Sequence, residues 1–202
     1  MKQYAPATQR NKDVILSVLQ QFLPPEGNIL EISSGTGEHC VYFSAHFPQC
    51  RWLPSDINPV ALASIEAWSN DSLSENIEQP MTIDVTENQW YQSLMNREIR
   101  SIVCINMIHI APWNACLGLI EGANKILEQG GILYLYGPFK RNHQHTAPSN
   151  QEFDQSLQLQ NSAWGVRNLE TVVEIAQDNQ LQLRQTVKMP SNNLSVIFEK
   201  IC

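Results

Sequence analysis

The chain has 202 residues, of which 43% are apolar, and a formal net charge of −7. That length suits a single domain, residues 1–202, and an acidic balance without a polybasic run speaks against a nucleic-acid track. The first residues lack the apolar core of a signal peptide and no stretch approaches a membrane span, so no membrane partner and a cytoplasmic location are expected.

Over residues 8–23, Val14, Ile15, Val18, Leu19 and Phe22 recur on one helical face, and Pro24-Pro25 ends that helix. Residues 1–25 thus read as an N-terminal helical cap. Ile29, Leu30 and Ile32 form a strand that runs into Gly35-Thr36-Gly37, and an amphipathic segment, residues 38–47, follows at once. Residues 51–55 read as a second strand. Asn58-Pro59, a cap followed by proline in the first turn, opens a helix carrying Leu62, Ile65 and Trp68. A third strand ends near Ile83, and Thr86-Glu-Asn-Gln89 fits a capping box that predicts a helix through Trp90 and Leu94.

The unbroken apolar run 102–107 is expected of a central parallel strand covered on both faces. A helix over 113–127 stops at Gly130-Gly131, and 132–136 is a further strand. Ser149-Asn-Gln-Glu152 is a second capping box, before Phe153 and Leu157, and a helix spans about 169–176. Residues 181–189 alternate with period two, 190–193 turn, and 194–201 form the returning strand of a hairpin. The expected fold is α/β: a Rossmann-like sheet of about seven mostly parallel strands, helices on both faces, and a C-terminal antiparallel hairpin. Five cysteines without a Cys-x-x-Cys pair read as reduced and mostly buried thiols. His143 and His145, without nearby thiols or carboxylates, predict no metal site.

A strand, a turn poor in Cβ atoms and a helix N-terminus make a cradle for a nucleotide-like ligand. Asp56 follows the second strand, 19 residues beyond Gly37, where a carboxylate accepts both hydroxyls of a ribose. Asp84 follows the third strand and reaches an adenine edge, with Ile57 and Val85 packing the faces of the ring. A nicotinamide dinucleotide needs a third glycine, and Cys40 stands in its place. Glu38 would repel a diphosphate while tolerating ammonium and sulfonium charge. Either aspartate alone also fits a turn cap.

On these segments the chain resembles the class I S-adenosylmethionine-dependent methyltransferases. Residues 31–37, which include Glu31, Ser33, Gly35 and Gly37, resemble the first motif, Asp56 the ribose-binding acid and Asp84-Val85 the adenine pair. Asn106-Met-Ile-His109 stands at the fourth motif, without the two prolines of the amino-methyltransferase signature. More narrowly, Ser33-Ser-Gly-Thr-Gly-Glu-His39, Asn106-Met-Ile-His-Ile-Ala-Pro-Trp113, Trp164-Gly-Val166 and Pro190-Ser-Asn-Asn-Leu194 resemble the family of methyltransferase-like protein 26 and its bacterial relatives. The resemblance implies S-adenosylmethionine as cofactor and names no acceptor.

Methyl transfer from a sulfonium needs near-attack positioning, and a base only where the nucleophile arrives protonated. His109 is the candidate base and Tyr136, at the end of the next strand, its companion; a turn anchor and a core filler are their structural alternatives. Arg10 is placed to pair with the methionine carboxylate. Residues 139–165, with Lys140, His143 and His145, read as a substrate-side insertion over a small-molecule acceptor. The rival reading is a cofactor-binding or inactive protein on the same fold, acting through a macromolecular partner. Neither acceptor nor oligomeric state is readable.

Overall fold

The computed structural model describes residues 1–201. Its sheet has the strand order β3-β2-β1-β4-β5-β9-β8. These strands are β1 (Gly27–Ile32), β2 (Cys50–Asp56), β3 (Met81–Thr82), β4 (Ile99–Ile105), β5 (Leu127–Arg141), β8 (Leu181–Met189) and β9 (Asn193–Lys200). Pairing is parallel from β3 through β5, whereas β9 runs antiparallel to both β5 and β8. The seven-strand expectation therefore holds for the main sheet. Two short strands, β6 (Gln144–His145) and β7 (Arg167–Asn168), extend β5 beyond it.

Period-two alternation divides the core. Leu30, Ile32, Ile102, Cys104, Leu133 and Leu135 face one side, where α4 (Trp113–Ile126) and α6 (Leu169–Asp178) bring Cys116, Leu119 and Val172. Ile29, Trp52, Val103, Tyr134 and Tyr136 face the other, covered by α1 (Pro6–Phe22) and α2 (Glu38–Ser44) through Ile15, Leu19 and Phe43. α3 (Pro59–Asn70) packs beside α2, and the Asn58 side chain caps it by accepting the Val60 N–H at 2.9 Å. α5 (Pro148–Gln160) lies between β6 and β7 in sequence. No helix among the described residues is long and apolar enough to cross a membrane.

Four expectations need correction. Thr86 caps no helix: its hydroxyl and N–H both go to Asp84 Oδ1, at 2.7 and 2.8 Å, and only a single 3₁₀ turn forms, at Gln92–Leu94. Ser149 is not an N-cap either, because Pro148 already occupies the first turn and Ala147 is the cap residue. α4 ends at Ile126, with Leu127 already extended, so Gly130-Gly131 lie inside β5 and not at a helix stop. The fourth concerns Val85 and is taken up below. Cys40, Cys50, Cys104 and Cys116 are free and buried; Cys202 lies outside the described residues.

Candidate active site

The turn after β1 is fixed by its neighbours. Ser34 exchanges two bonds with β2, donating its N–H to Ser55 O at 2.8 Å and accepting the Ser55 N–H at 3.2 Å. Ser33, Gly35 and Gly37 all have positive φ, at 57°, 58° and 88°. The two glycines do different work. A Cβ on Gly37 would lie 2.8 Å from Ile65 Cα, so this glycine lets α3 approach the turn. A Cβ on Gly35 would meet nothing within 4 Å, so open space lies over the turn there.

Asp56, 8% exposed, closes the turn from the end of β2. Its Oδ2 accepts the Gly35 N–H at 3.0 Å and its Oδ1 the Asn58 N–H at 2.9 Å. Each oxygen has one lone pair spent on the backbone and one left. Ile57 is 58% exposed beside it. Asp84 is half-buried, with Oδ1 committed to Thr86. Val85 does not offer a face to any ligand: it is buried in the core under α4, where a Cβ on Gly118 would strike its carbonyl oxygen.

Glu31 is also inside. Its Oε2 accepts the Trp52 Nε1–H at 2.9 Å, and burial pushes its carboxyl up to about 7, against the hydrogen bonds from Trp52 and Ser34. Glu38 is not a free charge facing the turn. It accepts the Ala5 N–H at 2.6 Å, Gln9 Nε2 at 3.0 Å and Thr36 Oγ1 at 3.1 Å, and so straps the start of α1 down. Next to it His39 stacks on Phe43 and is held by burial at about 4, hence neutral. Its Nε2 lies 2.8 Å from Asn11 Oδ1, and an amide oxygen only accepts, so Nε2 carries the proton.

Arg10, Asn106, His109 and Tyr136 converge on one cavity of about 660 Å³ beyond the ends of β4 and β5. Asn11, which neighbours Arg10 on α1, lines it too, as do Asn150 and Phe153 from α5 and Asn193 at the start of β9, to which the sequence assigns no part in binding. Asn193 falls in Pro190-Ser-Asn-Asn-Leu194, a segment that carries the family resemblance. Lys140 and His145 turn to Asp154, at 2.7 and 3.2 Å, and line no part of the cavity, and neither does His143. Trp113 is equally absent from its walls.

His109 is 2% exposed, its ring edge-on to Phe153 at 5.7 Å, and its Nδ1 has no hydrogen-bond partner. Gly137 makes room for that ring, since a Cβ there would sit 2.9 Å from His109 Cε1. Burial, aided by the Arg167 charge, lowers its pKa to about 4. Arg167 also holds the whole loop: it donates to Ile108 O at 2.9 Å and Ala111 O at 2.7 Å and lies over the Trp113 ring. Burial raises the Tyr136 pKa, and hydrogen bonding from Asn11 and Asn193 opposes the rise. Among the described residues no three His, Cys, Asp or Glu side chains gather to hold a metal.

Solved methyltransferases share this fold at low identity. Human N-acetylserotonin methyltransferase in complex with S-adenosylmethionine superposes with a TM-score of 0.78 at 13% identity, over 97% of this chain and 53% of that one. An O-methyltransferase family protein from Burkholderia thailandensis gives 0.79 at 12%, over 96% and 57%. The CurJ carbon methyltransferase gives 0.68 at 18%, over 96% and 54%. The chain thus spans little more than half the length of these neighbours, and the likeness establishes a Rossmann-like methyltransferase fold. A family model matches residues 2–200, and on that extent the chain belongs to the family described as "Protein of unknown function (DUF938)".

Proposed function

We propose that the protein transfers a methyl group from S-adenosylmethionine to a small-molecule acceptor. The observation that carries the reading is the open space over Gly35, with the half-spent Asp56 carboxylate bonded to that turn. Asp56 would hold the ribose, Ile57 a face of the adenine and Asp84, through its uncommitted oxygen, the adenine edge; Asn106, on the cavity wall, would face the methyl-bearing end. When bound, the cofactor supplies a methyl group on a sulfonium, which leaves readily.

The chain's own part is to bind, orient and exclude water. Phe153 and Ile110 give the cavity an apolar side, and Tyr136 offers an oriented hydroxyl. His109 is neutral, so it accepts a hydrogen bond or a proton, but a pKa near 4 makes it a weak base. It therefore serves best by orienting a nucleophile that is already reactive. The resemblance to methyltransferase-like protein 26 is consistent with this reading and adds no acceptor.

The test is calorimetric titration with S-adenosylmethionine, S-adenosylhomocysteine and NAD, followed by a methyl-transfer screen over small metabolites. Binding of the first two and not of NAD is expected. Tight NAD binding with no response to S-adenosylmethionine would overturn the reading.

A further inference from the structure

Arg10 is the only residue with a full charge on the cavity wall, and it makes no ion pair among the described residues. No carboxylate lines the cavity. Nearby acids are engaged elsewhere: Asp13, on the same helix as Arg10, accepts the Tyr42 hydroxyl at 2.6 Å, Glu38 holds Ala5, Gln9 and Thr36, and Asp154 holds Lys140, His145 and the Val166 N–H. A cationic amine entering this space would find a guanidinium and no counter-charge. An anion would find an unpaired one.

The amides add direction. Asn150 spends its Nδ2 on Thr146 Oγ1 and Asn192 O, both at 3.0 Å, and Asn193 spends its Nδ2 on Pro190 O at 3.1 Å. Both N–H groups of Asn150 are thus used, and Asn193 also donates to the Tyr136 hydroxyl, so what the two amides offer a ligand is carbonyl oxygen. The cavity therefore presents hydrogen-bond acceptors from Asn150 and Asn193 and a positive charge from Arg10.

From this arrangement we infer that the acceptor is a small hydroxylated or otherwise hydrogen-bond-donating carboxylate, its anionic end on Arg10 and its donor toward Asn150 and Asn193. Phe153, 40% exposed, and Ile110, 44% exposed, provide an apolar surface for its body. This rests on the methyl-transfer reading, and it moves Arg10 from the methionine carboxylate, its place in the sequence reading, to the acceptor.

The test separates the two. Protein saturated with S-adenosylhomocysteine is titrated with two matched probes, 3-hydroxybenzoate and 3-hydroxybenzamide, in wild type and Arg10→Gln. The expected result is a preference for the carboxylate of about tenfold or more in wild type, as a charged hydrogen-bonded pair implies. In Arg10→Gln that preference disappears while S-adenosylhomocysteine affinity stays within about twofold. No preference in wild type, or no binding of either probe, overturns the inference. So does an Arg10→Gln variant that loses S-adenosylhomocysteine and keeps its probe preference, since Arg10 then holds the cofactor's own carboxylate. Wild type that binds no S-adenosylhomocysteine refutes instead the methyl-transfer reading on which the inference stands.

Discussion

Alanine at Gly35 and at Gly37 separates a ligand cradle from a packing joint, because both positions share a turn and a left-handed backbone. The backbone cost is common to the two: φ of 58° and 88° costs an L-residue about 1–2 kcal/mol. The contacts differ. The new methyl at Gly35 meets nothing within 4 Å, whereas at Gly37 it arrives 2.8 Å from Ile65 Cα and 3.3 Å from Ile65 Cγ1. Backbone cannot yield as a side-chain end does, so α3 must shift, and overpacking of this kind adds about 1–3 kcal/mol. Gly35→Ala should therefore lose about 1–2 kcal/mol and Gly37→Ala about 2–5 kcal/mol. Urea unfolding at unchanged m-value measures both. Calorimetry with S-adenosylhomocysteine then gives the second half: the Gly35 methyl projects into the proposed ligand space and should weaken binding about tenfold or more, although its fold is the sounder of the two. Equal stability losses would refute the packing argument. Wild-type affinity in Gly35→Ala would refute the cradle.

Asp56→Ala removes the acceptor of the Gly35 and Asn58 N–H groups as well as the proposed ribose contact, so cofactor affinity should fall by about 1.5–3 kcal/mol, read by calorimetry; unchanged affinity would leave Asp56 a turn cap only. Glu31 sits at about 7 when folded against 4.5 ordinarily, so the native state holds its proton more tightly than the unfolded chain does. The stability this gives is complete below about 4.5 and lost as pH rises through about 7, roughly 3 kcal/mol in all. Glu31→Gln should erase that descending slope from denaturation curves taken across pH, and an unaltered slope would contradict the assignment. Arg167→Gln withdraws a positive charge from His109, whose pKa should rise from about 4 toward 6.5 while burial keeps it below that value. An NMR titration of the His109 ring follows the change, and a fixed pKa would show that Arg167 acts on the loop alone.

The succession of strands and helices along the chain and the glycine turn are legible because their causes are local: alternation, a cap at Asn58, and glycine where φ turns positive. The two failed capping boxes are local as well, but each was overridden by a neighbour the pattern ignores, Asp84 for Thr86 and Pro148 for Ser149. Val85 was misread because strand-end position was taken for exposure, while α4 closes over it through Gly118. The cavity was half legible. Arg10, Asn106, His109 and Tyr136 stood out by residue type near predicted strand ends or the N-terminus, yet that they share a wall with Asn150 and Asn193 depends on contacts across long separations in sequence, such as Asn150 to Asn192. The commitment of Glu38 to Ala5 and Gln9 is of the same kind.

The place of β9 has a consequence for how the chain matures on the ribosome. It lies inside the sheet, between β5 and β8, although every other strand precedes it in the chain. Until it emerges, the side of β5 from Ile132 to Pro138 offers unpaired N–H and C=O groups on a strand whose residues are buried in the finished protein. Synthesis thus leaves a sticky apolar edge open until β9 has emerged, and Asn193, carried on β9, joins the cavity only when that edge is sealed. A nascent chain halted before residue 193 would be both the most aggregation-prone intermediate and one unable to present a finished acceptor wall.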